Sequence, residues 1–186
     1  MGNKYAGFLE EINTTLGQCG AMKKHFSDAL NDLDYLKSHL EKRNLRNANI
    51  NLKRANNAGR RVSQSFDRVK KTIKTIIDDS LISNEDKTKF NNFLQNVKPH
   101  ESALILDTSY FVGKLGGDVD SLGVQLDLYK KGKQTSEMVL IELNDLIARI
   151  NKIIAGPSLS LSNVGLLPFM AVLKDLLPLA KKLKEL

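Results

Sequence analysis

The chain has little of what disulfide scaffolds, metal sites and strand-rich folds are built from. Its 186 residues include one cysteine, no tryptophan, four prolines and three histidines. With Cys19 alone an intramolecular disulfide is excluded, and nothing points to an oxidising compartment. Set in "GQCG", Cys19 reads as a small structural residue rather than a reactive thiol. The sequence holds no HExxH, no cysteine pair and no nucleophile elbow. His25 and His39 would stand about 21 Å apart on one continuous helix, too far to share a metal. "GKLGG" and "GKQT" lack the upstream glycine and the spacing of a phosphate-binding loop. The expectation is a non-enzymatic protein with no catalytic residue, no metal ligand and no cofactor.

Targeting signals are equally scarce. The first stretch carries Lys4, Glu10 and Glu11 and has no apolar core segment, which speaks against a secretory leader. "MGNKYA" has Ala6 where N-myristoylation prefers Ser or Thr. These features give a cytoplasmic, intracellular expectation. No uncharged run makes a good bilayer helix either. Residues 153–173 are free of charge, but Gly156, Pro157, Ser158, Ser160, Ser162, Asn163 and Gly165 interrupt them. A buried loop followed by a docked apolar helix over about 165–186 suits that composition better.

Hydrophobic residues at 41% and charged residues at 26% are ordinary for a folded chain, and scarce proline favours long helices. The fold expected is an all-α, single-domain bundle of about five to seven helices over residues 1–186. Tyr5, Phe8, Leu9, Ile12 and Leu16 recur at three- and four-residue spacing. "GQCG" (17–20) is expected to break or kink that helix. Met22, Phe26, Leu30, Leu33, Leu36 and Leu40 then resume the period. A long helix follows over about 42–79. Ala55, Val62, Val69 and Ile76 alternate there with Gly59, Phe66 and Ile73, the a/d seam of lengthwise packing.

Ser83 and Asp86 have the spacing of a capping box, opening a helix to about Val97 with Pro99 as its stop. Residues 101–117 suit a short buried helix without excluding strand, and Gly116–Gly117 punctuate them. Over 118–132 a strand period and a helix period coexist; the absence of other strand signals favours helix. A further helix over about Ser136–Ala155 would turn Met138, Ile141, Leu146, Ile150, Ile153 and Ile154 inward and close at Gly156–Pro157.

What the sequence has in excess is localised positive charge. Residues 42–74 hold eleven Lys or Arg against one acid, Asp67, and six of the seven arginines. The rest of the chain carries seventeen basic against twenty acidic residues, so the net charge of +7 originates in this stretch. On a helical wheel Lys42, Arg43, Arg46, Lys53, Arg54, Arg60, Arg61, Arg68 and Lys71 fall within about 120°. Ala55, Ala58, Gly59, Val62, Phe66, Val69 and Ile73 lie nearly opposite, and Ile50 intrudes among the cations.

A polar helix face is usually just solvated, but such faces mix signs to limit repulsion, and this one does not. Segment 1–41 has a net charge of only −2 to offset it. Guanidinium favours phosphate or carboxylate through its bidentate fork. Arg43, Arg46, Lys53, Arg54, Arg60, Arg61, Arg68 and Lys71 are therefore the expected polyanion-binding residues, with nucleic-acid backbone as the first partner. Phe66, the one aromatic in the stretch, belongs to the apolar side, so base stacking finds no support within it. Two alternatives stand beside this. One is protein–protein assembly or a homo-oligomer through the 55–76 seam or the C-terminal apolar helix. The other is peripheral membrane contact through the basic helix and the apolar terminus with Lys174, Lys181, Lys182 and Lys184.

Overall fold

The structure, a computed structural model, describes residues 3–101, 107–155 and 165–186, and for 107–114 the backbone alone. It is an all-α bundle without strands among the described residues. The helices are α1 (Phe8–Ser38), α2 (Lys42–Asp78), α3 (Asn84–Glu101), α4 (Asp107–Lys130), α5 (Ser136–Ala155), α6 (Leu166–Lys174) and α7 (Leu176–Lys184).

α1 and α2 form the spine. In α1 the buried positions are Phe8, Ile12, Thr15, Cys19, Met22, Phe26, Ala29, Leu33 and Leu36, spaced alternately by four and three. In α2 the same alternation runs through Leu45, Ala48, Leu52, Ala55, Gly59, Val62, Phe66, Val69, Ile73 and Ile76. Two such seams pair lengthwise because each keeps one face toward its partner over many turns. Cross-links fix the direction. Asp32 accepts from Asn51 Nδ2 at 2.9 Å, Glu11 from the Thr72 hydroxyl at 2.8 Å, and the Tyr5 hydroxyl donates to Asp79 at 2.5 Å. As one partner falls from 32 to 5 the other rises from 51 to 79, so the hairpin is antiparallel. The seam expected at 55–76 is thus filled by this chain's own α1. The buried hydroxyls of Thr15 and Ser65 donate to the carbonyls of Glu11 and Arg61, which removes the cost of burying them.

The remaining helices pack on both flanks: α4 and α3 on α2, and α5, α6 and α7 on α1. α4 and α5 form a second antiparallel pair, joined through a turn in which Gly132 takes φ +68. At the open end of the hairpin the termini are clasped together. Asn3 Nδ2 donates to the carbonyls of Leu183 (2.6 Å) and Lys184 (2.8 Å), and Lys182 Nζ meets Asp86 at 2.7 Å.

Several expectations are corrected. α1 runs unbroken through Gly17–Gly20, and α4 through Gly116–Gly117. α3 continues to Glu101 with Pro99 inside its last turn, where the missing N–H forfeits a single helical bond. In α5 the buried side chains are Val139, Leu143, Leu146, Ile150 and Ile153, whereas Met138 and Ile141 are half exposed. The C-terminal segment is two short helices meeting at Asp175, not one. Ser83 Oγ does cap its helix by accepting from the Asp86 N–H at 3.2 Å, but the Asp86 carboxylate turns to Lys182 instead of closing the box. The 118–132 stretch is helical up to Lys130, as preferred. The Gly156–Pro157 closure and the loop expected after it lie outside the described residues.

A Cβ added at Gly17 meets nothing within 4 Å, and the position is exposed in mid-helix. Gly17→Ala is expected to stabilise the fold by about 0.5–1 kcal/mol, read as a raised urea midpoint at unchanged slope. The Asp79 carboxyl accepts from Tyr5 and from the Leu81 backbone N–H, with Lys4 adding a weaker pull, and is held down from 3.8 to about 2. A carboxyl lowered by folding contributes its full stability above about pH 4 and loses it as pH falls toward 2. Asp79→Asn is therefore expected to lower Tm at neutral pH and to flatten part of the wild-type decline between pH 4 and 2. Asp86, Asp127 and Glu85, also lowered by lysine partners, contribute to the same decline.

Candidate polyanion-binding face

α2 has three sides. Its seam is buried, and its two margins are tied to neighbours. On the α1 margin Asn51 and Thr72 bond to Asp32 and Glu11. On the other margin Lys42 pairs with Asp127 of α4 at 2.6 Å, and Lys70 pairs with Glu101 of α3 and with Asp67. Between these margins lies the outer face.

Because the seam repeats every seven residues, so does the face opposite it. Arg46, Lys53, Arg60 and Lys74 occupy one column, interrupted by Asp67. Arg54, Arg61 and Arg68 form a second on the α1 side. Arg43 and Lys71 stand between them, in line with Ile50, Asn57 and Gln64. Members of a column are about 10.5 Å apart, and the strip from Arg43 to Lys71 is about 42 Å long at 1.5 Å per residue. Arg43, Arg46, Lys53, Arg54, Arg60, Arg61, Arg68 and Lys71 are all exposed. None of them takes part in an ion pair found among the described residues.

The field is not uniform along the strip. Arg68 borders a cavity of about 320 Å³ together with Glu10, Glu11 and Thr14, so acids of α1 stand close to that end. Arg43 and Arg46 rim a groove of about 640 Å³ against α4, whose walls include Val119, Val124, Asp120 and Asp127. Between those ends Lys53, Arg54, Arg60 and Arg61 form two adjacent cation pairs one heptad apart.

The structure thus brings all eight expected residues onto one surface, and it adds Lys74. A wheel drawn at 100° per residue drifts about 20° per heptad from a seven-residue seam, which carries Lys74 out of the arc by the end of the helix. Its place seven residues after Asp67 and fourteen after Arg60 is the signal that finds it. Cys19 is fully buried and burial pushes its thiol up to about 12, so it is no nucleophile. Among the described residues no group of three or more His, Cys, Asp or Glu is placed to hold a metal ion. Comparison of the chain with protein-family models, with curated proteins and with solved structures finds no match.

Proposed function

We propose that this chain is a non-enzymatic binding protein whose α2 outer face holds a polyanion, with nucleic-acid backbone as the first candidate. One observation carries the reading: eight exposed cations share a strip about 42 Å long, and among the described residues no carboxylate is in ion-pair contact with them. Lys182 and Arg149 have acidic partners across helices, while Lys23, Lys24, Lys87 and Lys130 resemble the strip in having none among the described residues; what sets the strip apart is the number of cations on one face. Like charges at three- and four-residue spacing repel by a few tenths of a kcal/mol per pair, and a bound polyanion reverses that cost. The strip matches the length of about 12 base pairs at 3.4 Å each. Guanidinium forks suit phosphate oxygens, and the side-chain amides of Asn57 and Gln64 add neutral donors. No base-reading element accompanies them, so the binding proposed is independent of sequence.

The test is purification without nuclease, comparing absorbance at 260 and 280 nm with a nuclease-treated control, followed by fluorescence anisotropy with a labelled duplex over a salt series. Absence of a shift at low salt removes the reading.

A second reading, protein–protein assembly, rests on Val124, Met138 and Ile141, which are 57%, 50% and 53% exposed on α4 and α5. It predicts a mass above 20.7 kDa in light scattering. The membrane alternative draws less support. Leu166, Phe169, Leu173, Leu176, Ala180 and Leu183 of the terminal helices are buried, and no described helix is long and apolar enough to cross a membrane.

A further inference from the structure

The described aromatic side chains are nearly all buried: Tyr5, Phe8, Phe26, Phe66, Phe90, Phe93 and Phe169 are 7% exposed or less. Tyr35 is the clear exception at 58%, and Tyr129 follows at 36%. Tyr35 stands at the closed tip of the hairpin, where its ring stacks on His39 with centroids 4.6 Å apart and planes inclined by 13°. Both residues are held by backbone contacts. The His39 N–H donates to the Tyr35 carbonyl at 3.1 Å, ending α1. The His39 carbonyl in turn accepts from the Glu41 N–H at 2.7 Å and, at 3.4 Å, from Asn44 Nδ2 in the first turn of α2.

This pair therefore adjoins the start of the basic strip at Lys42, Arg43 and Arg46. In α1 Tyr35 lies a heptad beyond Asp28, on the flank that carries the α2-bonded Asp32 and Glu11. The nearby acids do not close the site. Asp34 pairs with Lys37 at 3.5 Å, Asp32 is engaged by Asn51, and Glu41 is exposed.

An exposed, pre-stacked Tyr–His pair at the end of a cationic track is what an unpaired base needs: a flat π-face fixed in place, with phosphate ligands in the first turns of the adjoining helix. We infer that the Tyr35–His39 pair is a base-stacking platform, so that the nucleic acid bound along α2 presents an unpaired base at the hairpin tip. This rests on the backbone-binding reading of α2 and specifies its ligand as a strand end or a single-stranded junction rather than continuous duplex. The one aromatic of the 42–74 stretch, Phe66, is buried in the seam; hairpin closure supplies an exposed one from α1.

The experiment compares a blunt DNA duplex with the same duplex carrying a single-stranded overhang, by anisotropy at fixed salt, with 5-iodouracil in the overhang for photocrosslinking. The overhang is expected to tighten binding about tenfold, the scale of one aromatic–base stack. Crosslinking is expected to map to Tyr35. Tyr35→Ala is expected to erase the overhang preference while leaving blunt-duplex affinity and salt slope in place, and Tyr35→Phe to retain the preference. Equal binding of both probes by the wild type overturns the platform and leaves the backbone reading standing. Binding of neither overturns both. Loss of blunt-duplex affinity in a folded Tyr35→Ala protein also overturns the platform, since it makes Tyr35 part of the backbone contact.

Discussion

Replacing Arg54, Arg60, Arg61 and Arg68 together with Glu is expected to weaken binding of a duplex about 10³-fold near physiological salt. Each phosphate neutralised by a cation releases condensed counterions, so affinity falls with salt at a slope of about −0.9 per contact on B-DNA. Four lost contacts reduce the magnitude of that slope by about 3.6. The measurement is anisotropy across a salt series, plotted as log K against log salt. A uniform loss with an unchanged slope would place the phosphate contacts elsewhere. The fold itself should not suffer. All four side chains are exposed and free of ion pairs among the described residues. At 68 a Glu would stand three residues from Lys71, which favours it, and close to Glu10 and Glu11, which does not; 54, 60 and 61 have no charged residue three or four positions away, so thermal stability should change little.

The elements were legible in the sequence where two signals agreed, and misread where a local signal opposed a longer one. The a/d spacing of Ala55 to Ile76 specified the buried side of α2 over its later turns, and Leu45, Ala48 and Leu52 carry the same seam back toward Lys42. The glycines at 17, 20, 116 and 117 look like breaks, yet each costs a helix only about 1 kcal/mol against alanine. The buried seam on either side of Gly17–Gly20, from Phe8 to Leu36, outweighs that cost. In α5 two apolar strips share one sequence, and a 3.6-residue period does not say which faces in. Tertiary packing chose Val139, Leu143 and Leu146 over Met138 and Ile141.

For the candidate site, the charge pattern and the wheel were enough to collect its cations. What they did not contain was the α1 side of the surface. Glu10 and Glu11 beside Arg68, and Tyr35 beside the start of α2, arrive there only because a three-residue connection folds α1 back along α2. Neighbours across a hairpin are set by register, and register emerges from pairing two seams rather than from either sequence alone.

The largest loss of stability is expected from Phe66→Ala, beneath the same helix face. Phe66 is fully buried and meets two other rings edge-on, Phe169 of α6 at 5.3 Å and Phe93 of α3 at 6.5 Å. It is therefore the point where α2, α3 and α6 share one apolar cluster, and Lys70 Nζ lies 5.3 Å from its ring centre. Truncation removes the transfer energy of the ring, leaves a cavity and strips both neighbours of an edge-to-face partner, about 3–5 kcal/mol together. Against a typical domain stability of about 5–15 kcal/mol, that brings the variant close to its unfolding threshold at ambient temperature. Urea denaturation followed by far-UV circular dichroism is the measurement, with a lowered midpoint and an unchanged slope as the expected result. Phe66→Leu keeps most of the volume and should lose less. A folded Phe66→Ala protein at low temperature should still bind the duplex, because its cations are untouched. The Arg→Glu protein should be stable and fail to bind, and this double dissociation is what a helix with one packing side and one binding side predicts.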